Sequence, residues 1–193
     1  SYTVPLLKGN CSTYCKTVSA NDFRGISISP VLSKVFEQCI LQRYCDFLTS
    51  SDNQFGFKKK SGCVHAIYAL KCTADYYVSH NSTVNLCALD LSKAFDKMNH
   101  HALFLKLMKN HIPVSLLRLL EIWFESSSTC VKWGNCFSDF FKLTCGIRQG
   151  GVLSPHLFAV YIGSVIEKIR ASEYGCVINW AKVGILVHAD DIL

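Results

Sequence analysis

The sequence predicts an α+β domain, an antiparallel sheet with helices packed on one side. Helical stripes and strand-like runs follow one another in the mixed order helix, helix, strand, helices, hairpin, helix, strand. Half of the 193 residues are hydrophobic, enough to bury a core. Two apolar runs, residues 84–91 and 183–187, read as buried strands that reach aspartates.

Taken in order, residues 1–20 carry little pattern. Ser29-Pro30 reads as an N-cap with proline at the first helical position, and the stripe Val31, Leu32, Val35, Phe36, Cys39, Ile40, Phe47, Leu48 carries a helix to about residue 48. Gln54-Phe55-Gly56-Phe57 and Lys58-Lys59-Lys60 form a loop or short strand, and residues 63–77 a second helix. After the strand at 84–91, a polar link over 92–99 leads into a helix to about residue 109, and Pro113 opens another. Residues 129–133 and 136–143, split by Gly134-Asn135, predict a β-hairpin. Gly146-Ile147-Arg148-Gln149-Gly150-Gly151 is a glycine-rich loop, and Ser154-Pro155 caps a helix to about residue 170. A second hairpin is expected to join residues 177–180 to 183–188.

The chemistry concentrates at His188-Ala189-Asp190-Asp191. Neighbouring side chains of an ideal strand point to opposite faces, so both carboxylates can serve one site only if the backbone turns there. Turns favour aspartate on their own account. Asp90, at the end of its own apolar run, shifts the balance. With the two strands side by side, Asp90 stands beside Asp190 and Asp191. Close carboxylates raise one another's pKa, and such a cluster normally holds a cation. Oxygen ligands suit Mg²⁺, and two ions about 3.5–4 Å apart suit in-line displacement at phosphorus.

Composition sets the limits. No apolar run reaches the length of a membrane span, so no membrane partner is expected, and Ser1-Tyr2-Thr3-Val4-Pro5 does not read as a signal peptide. With no starting methionine, and the acidic pair two residues from the last, the chain reads as a piece of something longer. The eleven cysteines lack Cys-x-x-Cys spacing, the closest approach being Cys11 and Cys15. They read as reduced, mostly buried thiols of an intracellular protein. The net charge of +6 permits a polyanionic partner without specifying one. His65, His100, His101 and His111 show no helical spacing to acids and are assigned structural or surface roles.

Four ordered blocks bring these signals together. They are Phe23-Arg24-Gly25-Ile26-Ser27 with Leu32-Ser33-Lys34-Val35-Phe36-Glu37; Gln54-Phe55-Gly56-Phe57-Lys58; Leu89-Asp90-Leu91-Ser92-Lys93-Ala94-Phe95-Asp96; and the glycine-rich loop through Ser154-Pro155 to Leu157-Phe158, closed by Ala189-Asp190-Asp191. In this ordered set the chain resembles the reverse transcriptase domain of non-LTR (LINE-type) retrotransposons. The wording fits that type better than group II intron or retron relatives.

The resemblance implies a right-hand polymerase fold truncated before the thumb, with a lead-in over 1–22, a fingers-like region over 23–83 and a palm-like region over 84–193. It implies an RNA template, a DNA primer, deoxynucleoside triphosphates (dNTPs) and Mg²⁺, with Mn²⁺ as the alternative ion. It also implies the remaining domains of a longer polyprotein, a thumb and an endonuclease among the candidates, and a place in the nucleus or cytoplasm. Asp90, Asp190 and Asp191 would be catalytic and hold the ions, with the Leu91 carbonyl as a further ligand. Phe95 would lie under the sugar and exclude a 2′-hydroxyl. Gln149 would contact the incoming nucleotide, and Arg24 and Lys58 its phosphates. Lys59, Lys60, Lys132 and Lys142 are candidates for the nucleic-acid backbone.

Two positions depart from the family. His188 stands where tyrosine or phenylalanine is usual, and Gly163 where aspartate is frequent. They raise an alternative, a degenerate, non-catalytic remnant that binds nucleic acid.

Overall fold

The computed structural model describes residues 1–8 and 18–193. Cys11 and Cys15 lie outside them; the nine cysteines described are free thiols, and the expectation that they are mostly buried is corrected, since seven are exposed and Cys130 alone among them is buried. The described residues form a mixed α/β fold with five α-helices, in two compact units. One unit comprises residues 1–45 and 95–154, the other 46–94 and 155–193.

The first unit is built on a sheet whose founding strand carries almost no sequence signal. Strand β1 (Tyr2–Leu7) pairs antiparallel with β2 (Phe23–Ile28) along its whole length. On its other side, Tyr2 and Thr3 pair in parallel with Cys130 and Val131 of β4 (Ser128–Trp133). An antiparallel sheet was expected; this one is mixed through the single parallel pairing of β1 with β4. Pro5, which argues against a strand, sits beyond the two positions that face β4, where no ladder to that strand is required. The Thr3 hydroxyl lies 3.4 Å from that of Ser27 and 3.1 Å from that of Thr129, a polar rung across three strands.

The expected hairpin at Gly134-Asn135 forms, with Trp133 facing Cys136 across a tight turn and Gly134 at φ +58. Its return strand is broken into β5 (Cys136–Phe137) and β6 (Phe141–Lys142). Lys132 faces Phe137 and Thr129 faces Phe141, so three steps on β4 match four on the return. That extra residue is a β-bulge.

Helix α1 (Val31–Tyr44) begins one residue later than expected, and Ser29 does not cap it: its buried hydroxyl makes no hydrogen bond among the described residues. Helices α3 (His100–Lys109) and α4 (Val114–Glu125) follow the sequence reading, α3 opening on the Asn99 side chain, which accepts the Ala102 N–H. Leu103, Leu107, Leu116 and Leu120, spaced for one helical face, are the core of this unit.

In the second unit α2 (Cys63–Ser79) and α5 (Ser154–Ala171) match expectation. Phe158, Ile162 and Ile166 of α5 are buried, as are Ile185, Leu186 and Val187. Burial lowers the pKa of His156 in α5 below the usual imidazole value. The strands are much shorter than predicted. Only Leu89–Asp90 of the run 84–91 pairs, as β3. The second hairpin is also corrected. Strand β7 (Val177–Ile178) turns at once into β8 (Ala181–Lys182), and Asn179 and Trp180 both take positive φ. Strand β9 (Val187–His188) pairs instead with β10 (Asp191–Ile192), which supplies the return partner that the sequence did not reveal. The three-stranded order is β3-β10-β9.

Two glycines give opposite expectations for stability. Gly146 takes φ +76, and a Cβ there would lie 2.5 Å from the Asp96 carbonyl oxygen, whereas a Cβ on Gly163 would meet nothing within 4 Å. Gly146→Ala should lower unfolding stability by about 1–3 kcal/mol from backbone strain alone. Gly163→Ala, inside α5, should raise it by about 1 kcal/mol. Denaturant midpoints of the two variants check both signs.

Candidate active site

The acidic residues come together through strand register. Asp191 of β10 is the direct partner of Asp90 on β3 and, on its other side, of His188 on β9. Direct partners point to the same face, so Asp90, Asp191 and His188 form one row across three strands. The ladder from His188 and Asp191 continues to Leu186 and Leu193, which exchange backbone bonds of 2.9 and 2.8 Å. Asp190 lies on the two-residue connection with Ala189. Ala189 has φ +60 and Asp190 does not share that sign, the pattern of a type II′ hairpin turn. Type II′ favours glycine at the first central position, so alanine is strained there.

Asp90 and Asp191 are exposed and Asp190 is half-buried. Among the described residues none of the three carboxylates has a hydrogen bond or an ion pair. Like charges directly opposite across a ladder destabilise it. Two unneutralised oxygen donors on one face fit a hard divalent cation in chemistry and in placement. Among the described residues no group of three or more His, Cys, Asp or Glu side chains is close enough to hold an ion. The structure thus presents an acidic pair with the third carboxylate on the adjoining turn. The Leu91 carbonyl accepts the Ala94 N–H at 3.2 Å, leaving its second lone pair for a ligand. Asp90, Asp191 and His188 also line a pocket of about 300 Å³, otherwise largely apolar, with Leu89, Leu186 and Ile192 in its wall.

The glycine-rich loop is fixed inside the first unit. Ser27 N–H donates to the Gln149 carbonyl at 2.7 Å, Gly146 N–H to Met98 O at 2.7 Å, and Ile147 N–H to Phe95 O at 2.8 Å. His100 Nε2 donates to the Gly146 carbonyl at 2.6 Å, which gives this histidine its structural role. The Gln149 amide donates to Asp96 Oδ1 at 3.0 Å. Phe95 is half-buried.

Glu37, 5 % exposed, accepts the Leu153 N–H at 2.9 Å. Burial lowers the pKa of Arg148, and the Glu37 charge opposes that shift. The Arg148 guanidinium donates to the Ser127 hydroxyl at 3.1 Å. The sequence did not single out Asp96 or Glu37. Both belong to the ordered blocks, and their place in those blocks was the available signal.

The expected phosphate ligands have mixed surroundings. Arg24 is exposed on β2. Lys58 is held in its own loop, donating to the Ser51 carbonyl at 2.6 Å and standing 3.9 Å from Asp52. Lys59, Lys60 and Lys142 are exposed, whereas the Lys132 ammonium lies 5.5 Å from the ring centres of both Tyr2 and Phe137.

Comparison with known proteins fits this geometry. Residues 8–193 match the family model described as reverse transcriptase (RNA-dependent DNA polymerase), and the chain belongs to that family. Its relatives include the Pol polyprotein of the type-2 retrotransposable element R2DM from Drosophila melanogaster, 26 % identical over 92 % of this chain and 17 % of the relative. The probable RNA-directed DNA polymerase of the X-element transposon from the same fly is 29 % identical, covering 88 % of this chain and 18 % of the relative. That of mobile element jockey from Drosophila funebris is 26 % identical over 91 % of this chain and 19 % of the relative. These are retrotransposons of the non-LTR kind that the ordered blocks implied. The chain spans less than a fifth of the length of each.

If the acidic pair is kept for a cation, it weakens the sheet without one. Asp90→Asn should raise the melting temperature in chelator by about 1–3 °C and remove the stabilisation that Mg²⁺ gives the unaltered protein. Melting scans with and without Mg²⁺ test both effects.

Proposed function

We propose that this chain is the polymerising core of an RNA-directed DNA polymerase, adding dNTPs to a DNA primer on an RNA template for retrotransposition. The observation that carries the reading is the register of Asp90 with Asp191, with Asp190 on the adjoining turn. The fold would be that of a right hand, with fingers over 23–83 and palm over 84–193, within a longer polyprotein that works in the nucleus or cytoplasm.

In this reading the primer 3′-oxygen attacks the α-phosphorus as its proton departs, and the bond to pyrophosphate breaks. Asp90, Asp190, Asp191 and the Leu91 carbonyl would hold Mg²⁺, or Mn²⁺ in its place. When bound, the ions lower the pKa of the 3′-hydroxyl and neutralise triphosphate charge. The chain's own residues do the rest. Phe95 stacks under the deoxyribose and leaves no room for a 2′-hydroxyl. Gln149, steadied by Asp96, meets the nucleotide from a loop that Gly146 and Gly150 hold at positive φ. Arg24 and Lys58 meet its phosphates, the lysine after exchanging its contacts to Ser51 and Asp52. Lys59, Lys60, Lys132 and Lys142 meet the nucleic-acid backbone.

The second reading, a non-catalytic nucleic-acid-binding remnant, draws support from His188 in the acidic row and from the absence of a closed three-carboxylate group among the described residues. One assay separates the two. The full-length protein should extend a DNA primer on an RNA template, and Asp190→Asn should slow extension more than about a hundredfold, beyond the loss typical of residues that only orient ligands. Primer–template affinity should stay within about twofold, since the ligand is not a phosphate contact. Equal extension by both proteins would remove the metal role, and binding without synthesis by the unaltered protein would favour the remnant.

A further inference from the structure

The strained turn that carries Asp190 is held by a side chain from far away in sequence. Gln54 is 0 % exposed. Its amide nitrogen donates to the Ala189 carbonyl at 3.1 Å, and its oxygen accepts the Ala189 N–H at 3.0 Å and the Gly56 N–H at 2.8 Å. Both lone pairs of the oxygen are used. The carboxamide thus satisfies both backbone groups of Ala189, as a peptide unit of a neighbouring strand would.

The rest of the segment 53–56 continues the grip along β9. Phe55 N–H donates to Val187 O at 2.7 Å, Val187 N–H to Asn53 O at 2.9 Å, and the Asn53 amide to Ile185 O at 2.8 Å. Gly56 must lack a side chain, because a Cβ would fall 2.6 Å from the Ala189 nitrogen. Ala189 meanwhile keeps φ +60, a region that L-residues with a Cβ rarely adopt.

We propose that Gln54 is a positioning residue for Asp190: its carboxamide fixes the strained Ala189 turn, so that the carboxylate is aimed before any cation or nucleotide arrives. Gln54 touches no reacting group. It acts through the backbone of Ala189, and Gly56 is the gap that lets it do so. This assignment rests on the reading of Asp190 as a ligand of the catalytic ion.

The test uses the full-length protein and Gln54→Met, which keeps the volume and removes the hydrogen bonds. Hydrogen exchange at the Ala189 amide should be at least about tenfold faster in the variant, since that N–H loses its buried acceptor. The Mg²⁺ concentration for half-maximal primer extension should rise several-fold and kcat should fall about 10–100-fold, with the dNTP KM within about twofold. Adding Ala189→Gly should restore part of kcat, because glycine holds positive φ without the clasp; a role in folding alone would not be rescued there.

An unchanged Ala189 amide, or an unchanged Mg²⁺ requirement with full kcat, overturns the proposal. If Q54M does not fold, the unaltered protein decides: an Ala189 amide protected like those of β9 supports the clasp, and one exchanging like an open turn overturns it. Lack of primer extension by the unaltered protein would remove the polymerase reading, and the exchange data would still decide the clasp.

Discussion

Two like charges, Asp90 and Asp191, face one another across β3 and β10, and the arrangement of the second unit gains its meaning from that register. A one-residue slip would send one carboxylate to the opposite face. Two features hold the β9–β10 hairpin that carries Asp191. Val187 and Ile192, partners one step along, are buried. The connection at Ala189-Asp190 is only two residues long, which fixes the hairpin pairing. Apolar burial and turn geometry thus fix Asp191, and β3 meets it through two rungs, Asp90 with Asp191 and Leu89 with Ile192. The facing carboxylates are the usual condition of a site kept at some cost to stability.

The first unit shows the same economy around its glycine-rich loop. Ser27 grips the loop from β2, while Phe95, Met98 and His100 grip it from the segment at the start of α3. Both attachments take hold of the loop's own backbone groups, which leaves the Gln149 side chain to Asp96 and to any ligand. Gly146 and Gly150 allow the close approach. A Cβ on either would strike the backbone of Asp96 or Ser27.

How much could be read from sequence depended on where the signal lies. The helices were legible because Leu103, Leu107, Leu116 and Leu120 repeat at helical spacing and Asn99 caps α3. The strands were not, because only two residues of the run 84–91 pair, and apolar runs do not disclose their length. Strand β1 was hidden by Pro5 and by partners that are remote in sequence. The pairing of 177–178 with 181–182 turned on Asn179 and Trp180 at positive φ; asparagine suits that region, but tryptophan gives no such signal. The acidic site was legible as residues through the ordered blocks, but the clasp on Ala189 was not. A buried glutamine declares its partners only in three dimensions.

The central claim, that Asp90 and the pair at 190–191 share a divalent cation, is tested most directly by locating the ion. With Fe²⁺ in place of Mg²⁺ in the full-length protein bound to primer–template, ascorbate and peroxide cut the backbone next to the metal. The account predicts cuts beside residue 90 and beside residues 190–191, suppressed together by excess Mg²⁺. Cuts confined to other segments, or at one of these two places without the other, would contradict it.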